Sequence, residues 1–220
     1  MPGAWRIVAS VPTPEGALEL RERKGNFLIQ VGGRVLMNSM ARRSEEELAR
    51  LALAGVHAPA ARVLVGGLGM GYTLRAALDC LGPGAEVEVA ELNPVVVEWC
   101  RGPLGPLTRQ VVADPRVRLH IGDVAARIAH TPAGRLDAIV LDLYEGPHAA
   151  TQANSDPLWG SAALSRCRAA LRPGGGLAIW GERPDRGFER RLSQAGFVVR
   201  THALAGGAGW DHVVYVGTRT

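Results

Sequence analysis

Lysine is almost absent from these 220 residues: Lys24 is the only one, although Lys and Arg together number 25 against 21 acids. The remaining cations are arginines scattered along the chain, dense only in RERK and ARR, with no aromatic residues interleaved among them. A nucleic-acid track needs a clustered basic face, so the net charge of +4 reads as a solvated surface and no nucleic-acid partner is expected. No apolar run approaches the ~20 residues of a membrane span. The opening MPGAWRIVASVPTPEG has no cationic start followed by an apolar stretch. No membrane association and no leader are therefore expected, and the location is read as cytoplasmic. Cysteine is sparse and odd in number: Cys80, Cys100 and Cys167 stand far apart without a CxxC pair, which speaks for free thiols and against a disulfide framework. No His, Cys or Asp set has ligand spacing, so no metal is expected. The last absence is local. In ARVLVGGLGMGYTLRAAL (61–78) no acidic residue stands between Gly66 and Gly71.

What is present is a hydrophobic content of 47% and enough length for one domain with a small appendage. The segments AWRIVAS, ALELRER, NFLIQV and RVLMN read as short strands separated by the turn signals PTPEG, KGN and GG. They predict a β-meander over residues 1–43, ahead of a main domain over 44–220. SEEELARLAL predicts a helix with Ser44 as N-cap and Glu47 at the capping-box position. From Arg62 onward strands alternate with helices, which argues a mostly parallel sheet covered on both faces. LDAIVLDLY is the most apolar strand and belongs mid-sheet, RPGGG reads as a helix stop before the strand GLAIWGE, and FVVRTHAL and WDHVVYVGT predict an antiparallel hairpin at one edge.

In such sheets ligands sit at the carboxyl ends of the strands. Gly67, Gly69 and Gly71 form GxGxG directly after the first strand of the alternating region, with Leu68 between the first two. Glycines let backbone approach a ligand closely, and the helix that follows presents free N–H groups. Glu91 closes the second strand about twenty residues later, where an acid can accept hydrogen bonds from both hydroxyls of a ribose, with Leu92 beside it. Asp123, followed by Val124, closes the third strand, placed for an adenine amino group or as the N-cap of VAARIA. Asp142 closes the fourth, and an acid ending so apolar a strand points to function. Glycine, Glu, Asp and Asp at four successive strand ends together mark a nucleoside site. An NAD dehydrogenase shares the glycines and the first acid, but leaves Asp123 and Asp142 without a task.

These segments resemble the S-adenosylmethionine-dependent methyltransferase fold and, within it, the spermidine synthase-like (polyamine aminopropyltransferase) branch. The resemblance spans about residues 34 to 181 and is carried by HAPAARVLVGGLGMG, VAELNPVVVEWCR, DPRVRLHIGD, LDAIVLDLYEGP and LSRCRAALRPGGGLAI. It implies an α/β Rossmann-like domain with a seven-stranded, mostly parallel sheet, an antiparallel C-terminal hairpin and a small N-terminal β-meander. It also implies an adenosyl sulfonium cofactor, S-adenosylmethionine or its decarboxylated form, with ribose on Glu91, adenine on Asp123 and the glycine loop under the side chain. The first acid of the family's catalytic loop, carried over to Asp142, orients an amine and assists its deprotonation. Family members are often dimers or tetramers, which makes a homodimer an expectation.

Three departures bear on the reaction. The family carries an aspartate in its glycine loop where Gly69 stands, and losing it is expected to admit the carboxylate of ordinary S-adenosylmethionine. The family's second catalytic-loop aspartate is here Glu145, with Tyr144 before it as a residue to flank the acceptor or close over the sulfonium. MNSMARRSEE lacks the family's acidic, Gln-containing stretch, with Asn38 as a polar substitute. On these grounds the leading expectation is methyl transfer to a small, amine-containing acceptor. The alternatives are aminopropyl transfer in polyamine biosynthesis, side-chain transfer or cyclisation of S-adenosylmethionine, and cofactor binding without catalysis. His148 is a further acid/base candidate, while His57, His120, Trp159 and Trp180 read more simply as packing residues.

Overall fold

The computed structural model describes residues 4–144, 146–148, 151, 153, 155–204 and 212–220. The first sheet has four antiparallel strands in sequence order, β1 (Arg6–Thr13), β2 (Gly16–Arg23), β3 (Asn26–Val31) and β4 (Arg34–Asn38), with apolar alternation clearest in β2. Two of its hairpins are two-residue loops with both residues at positive φ, Lys24 with Gly25 and Gly32 with Gly33. That is the backbone whose twist matches the flanking strands. The cross-strand pairs Leu18–Val31 and Leu20–Ile29 lie on one face and are buried. They join a single hydrophobic core with the main domain.

The main sheet has seven strands: β5 (Arg62–Gly66), β6 (Glu86–Glu91), β7 (Val117–Ile121), β8 (Leu136–Leu141), β9 (Leu171–Gly181), β10 (Phe197–Leu204) and β11 (His212–Arg219), in the order β10-β11-β9-β8-β5-β6-β7. β9, β8, β5, β6 and β7 pair in parallel, and the β10–β11 hairpin closes one edge antiparallel, which is the α/β arrangement the sequence predicts. Six helices accompany it among the described residues: α1 (Arg43–Leu53), α2 (Tyr72–Cys80), α3 (Pro94–Arg101), α4 (Val124–Ala129), α5 (Ser161–Ala170) and α6 (Arg186–Gln194). The chain moves outward from β5 through β6 to β7 and then returns to β8 on the other side of β5. The ends of β5 and β8 therefore flank the topological switch point, where a crevice opens.

Two local expectations are corrected. Ser44 is not the N-cap of α1: Arg42 holds that position without a side-chain cap, and the Ser44 hydroxyl donates to Glu45 Oε2 at 2.6 Å. Glu47 makes no capping box and pairs instead with Arg50 at 3.3 Å. RPGGG does not separate helix from strand either. The chain turns extended at Leu171, and β9 begins there. Leu171 pairs with Leu136 and Gly176 with Ala138, so the intervening residues bulge out of the ladder with Gly174 at positive φ.

Candidate active site

A cavity of about 660 Å³ opens over the carboxyl ends of the parallel strands, roofed by the first sheet. Its floor is the glycine loop. Gly67 donates its N–H to Ala90 O at 2.9 Å, and Gly71 to Leu68 O at 2.8 Å, which folds the loop tightly before α2. Gly67 has φ +86, and a Cβ there would stand 2.3 Å from Asp142 O, so only glycine fits between the ends of β5 and β8. Gly67 and Gly69 face the cavity, whereas Leu68 and Met70 are buried in the core.

Glu91 is buried at the end of β6 with both carboxylate oxygens engaged: Oε2 accepts from Leu68 N at 2.9 Å and Oε1 from Asn93 N at 2.8 Å. These bonds fix the group while leaving each oxygen a second lone pair free to accept. Beneath the loop the Cys100 thiol donates to Gly69 O at 3.3 Å, and burial, with the charge of Glu91, pushes its pKa up to about 12. Asp123 caps α4 by accepting from Ala125 N at 2.8 Å and also lines the cavity. Leu92 is 66% exposed at the rim and Val124 is buried beneath, giving the cavity two apolar walls.

Asp142 follows β8 and remains half-buried. Its N–H donates to Gly66 O at 2.9 Å, and its Oδ2 accepts the hydroxyl of Thr73 in the first turn of α2. The same hydroxyl lies 3.5 Å from the main-chain oxygen of Glu45. Desolvation, and then the charge of Glu45, raises the Asp142 pKa to about 7, against the lowering effect of the Thr73 bond. Tyr144 also lines the cavity, and the Arg34 guanidinium from β4 lies over its ring at 4.2 Å. Glu145 lies outside the described residues.

The cavity thus brings together Gly67, Gly69, Glu91, Leu92, Asp123, Val124, Asp142 and Tyr144. Leu68 and Gly71 shape the loop from behind. Asn38 does not line the cavity; its Oδ1 accepts from Met40 N at 3.0 Å and Ala41 N at 2.9 Å, holding the turn between β4 and α1. Trp180 forms part of the wall, whereas Trp159 is buried edge-on to Phe188 with ring centroids 5.9 Å apart. His148 stands in a smaller adjoining cavity with Tyr144, His57 is exposed, and the His120 ring packs beside Gly122. Sequence reasoning missed Arg34, Met37 and Glu45, which reach the cavity from the first sheet and α1. Among the described residues no group of His, Cys, Asp and Glu is arranged to hold a metal ion, and no helix is long and apolar enough to cross a membrane.

Comparison with known proteins gives relatives in sequence and neighbours in fold. No family model matches the chain. It is 30% identical to spermidine synthase 1 of Hyoscyamus niger over 138 residues, which are 63% of this chain and 41% of that one. It is also 30% identical to a polyamine aminopropyltransferase of Prochlorococcus marinus over 167 residues, 74% of this chain and 54% of that one. By these similarities the chain is spermidine synthase-like in sequence. It spans about half, or less, of the length of these curated relatives. In fold it superimposes on the spermidine synthase of Thermotoga maritima with a TM-score of 0.77 at 21% identity, covering 96% of this chain and 72% of that one. Both the small antiparallel sheet and the seven-stranded one lie within the superimposed region.

Proposed function

We propose that this spermidine synthase-like chain is a transferase that moves the aminopropyl group of decarboxylated S-adenosylmethionine to an amine acceptor. The sequence reading placed methyl transfer first and aminopropyl transfer second. The two relatives above are named for the second, and we adopt it. The observation that carries the reading is Asp142, held by Thr73 at the switch point between the glycine loop and the first sheet, with a pKa of about 7.

The residues present fit the nucleoside. Glu91 offers its free lone pairs to ribose hydroxyls, Asp123 keeps one carboxylate oxygen beyond the α4 cap for an amino group, and Leu92 and Val124 supply flat apolar contact. Gly67 and Gly69 keep side chains out of the path of the sulfonium's chain. When bound, the sulfonium makes its neighbouring carbon electrophilic; a new C–N bond then forms as the C–S bond breaks and methylthioadenosine leaves.

The chain supplies position and a proton acceptor. An amine of pKa ~10 enters as ammonium and must lose a proton before it can attack. Asp142 in its carboxylate form binds the ammonium and then takes that proton, a role suited to an acid poised near neutrality. Tyr144, fixed under Arg34, forms the wall on the acceptor side, and the first sheet with Trp180 shields the site from water.

The test is product analysis. The purified chain, given decarboxylated S-adenosylmethionine and a panel of di- and monoamines, is expected to release methylthioadenosine together with an amine enlarged by one aminopropyl unit. S-adenosylhomocysteine formed from ordinary S-adenosylmethionine and the same amines would replace the proposal with methyl transfer.

A further inference from the structure

We propose that Glu45 is the residue that selects the cofactor, its negative charge beside Asp142 holding a bare ammonium at the end of the cofactor's side chain and repelling a carboxylate there, which leaves Asp142 to the acceptor. This inference rests on the reading above and adds to it the means of choosing between the two forms of the sulfonium.

Glu45 is only 9% exposed, yet it lines the cavity. Among the described residues its side chain accepts one hydrogen bond, from the neutral Ser44 hydroxyl. Among the described residues no arginine, lysine or histidine comes within salt-bridge distance of either Glu45 or Asp142, although nearby acids do pair: Glu46 with Arg42 at 3.2 Å and Glu47 with Arg50 at 3.3 Å. Two carboxylates in one poorly hydrated cavity without a counter-ion are costly, because each raises the energy of the other and neither regains the solvation it has lost. A cationic ligand placed between them removes that cost, whereas an anionic one adds to it.

The pair's position assigns the cation to the cofactor. Glu45 and Asp142 line the same cavity as Gly67 and Gly69, and the Thr73 hydroxyl, two positions after Gly71, meets both the main-chain oxygen of Glu45 and Asp142 Oδ2, which sets the start of α1 beside the glycine loop. The loop itself contributes no charge: nothing acidic stands between Gly66 and Gly71, and the space a side chain at position 69 would fill holds the Met37 thioether. Any electrostatic choice at this place has to come from a neighbouring element, and α1 brings it. The open loop at Gly69 therefore does not imply acceptance of ordinary S-adenosylmethionine.

Calorimetric titration of the full chain, without acceptor, tests this with three probes: decarboxylated S-adenosylmethionine, S-adenosylmethionine and methylthioadenosine, which carries neither ammonium nor carboxylate. The wild type is expected to prefer the decarboxylated form at least tenfold. E45Q is expected to narrow that ratio to about threefold or less while leaving methylthioadenosine affinity unchanged, which also shows the variant to be folded. E45D, which keeps the charge, is expected to retain most of the preference. Wild-type preference for the carboxylated form, or an E45Q ratio equal to wild type, would overturn the assignment. Failure of the wild type to bind even methylthioadenosine would instead bring down the nucleoside reading and the inference together.

Discussion

The thioether of Met37 stands where a side chain at position 69 would have to go: Met37 Sδ is 3.0 Å, and its methyl carbon 3.2 Å, from the place of a Cβ on Gly69. The sulfur also accepts from Met70 N at 3.2 Å, so a residue of the first sheet stoppers the glycine loop of the second. The two positions are coupled. Gly69 adopts φ +51, which an aspartate tolerates better than most residues, but its carboxylate would displace the methionine.

G69D is expected to destabilise the protein by about 1–3 kcal/mol through overpacking and backbone strain. M37A should cost less on its own, because Met37 is only partly buried. Urea denaturation of G69D, M37A and the double variant should show the double to be more stable than the sum of the single losses, with a coupling of at least ~0.5 kcal/mol. Strict additivity would mean that the methionine swings away without cost and the contact has no energetic meaning.

Glu91 should matter to the loop as well as to the ligand. E91Q keeps one acceptor oxygen but replaces the other with an NH2 group, which faces the N–H of either Leu68 or Asn93. Methylthioadenosine affinity is expected to fall at least tenfold, through loss of a charge-assisted bond and of loop order together. Amide exchange at Leu68 should quicken in the ligand-free variant. Unchanged exchange with weakened binding would restrict Glu91 to a ligand contact.

Gly67 offers a sharper steric case. Its missing Cβ would meet the main-chain oxygen of Asp142, which cannot swing aside as a side chain can. G67A is expected to spread β5 from β8 at the switch point and to abolish nucleoside binding, with a stability loss larger than that of G69A. A G67A protein that binds methylthioadenosine like the wild type would show that the strand ends separate freely.

Where the local pattern carries its own physical cause, the sequence was readable. Alternation in GALELRER reports which face of the meander is buried, and the apolar run AIVL places β8 inside the sheet. Glu91 and Asp123 were legible because ligand cavities in such sheets open over the carboxyl ends of parallel strands, and both acids line the cavity there. Glu45 was not. It is the first of three consecutive glutamates, and only the docking of α1 against α2 decides which of them faces the cavity while the other two pair with arginines at the surface. Met37 looks like any apolar residue of a strand, and its role depends on a crossing between two sheets. The bulge at RPGGG has the same origin: glycines favour a turn, but the pairing of Leu171 with Leu136 and of Gly176 with Ala138 keeps both sides of that turn in one strand.

Asp142 yields a prediction in pH. In the folded protein its pKa rises from 3.8 to about 7, chiefly through desolvation. Between those values the native state holds a proton that the unfolded chain has released, so the carboxyl's contribution to stability is fully present below pH ~4 and is lost as pH rises through about 7. D142N cannot titrate and should escape that loss. The stability of D142N relative to wild type is therefore expected to increase between pH 5 and pH 8, by on the order of 1–3 kcal/mol, in denaturation of the ligand-free proteins. The catalytic consequence has the opposite sense. Transfer needs the carboxylate, so the wild-type rate should climb through a limb near pH 7, and D142N should lose at least a hundredfold in kcat together with that limb. A variant that gains alkaline stability while losing the reaction fits an acid kept against its folding cost for the sake of chemistry. A D142N that is no more stable at pH 8 than at pH 5, relative to wild type, would mean that Asp142 is already ionised at pH 5 and that the amine's proton leaves by another route.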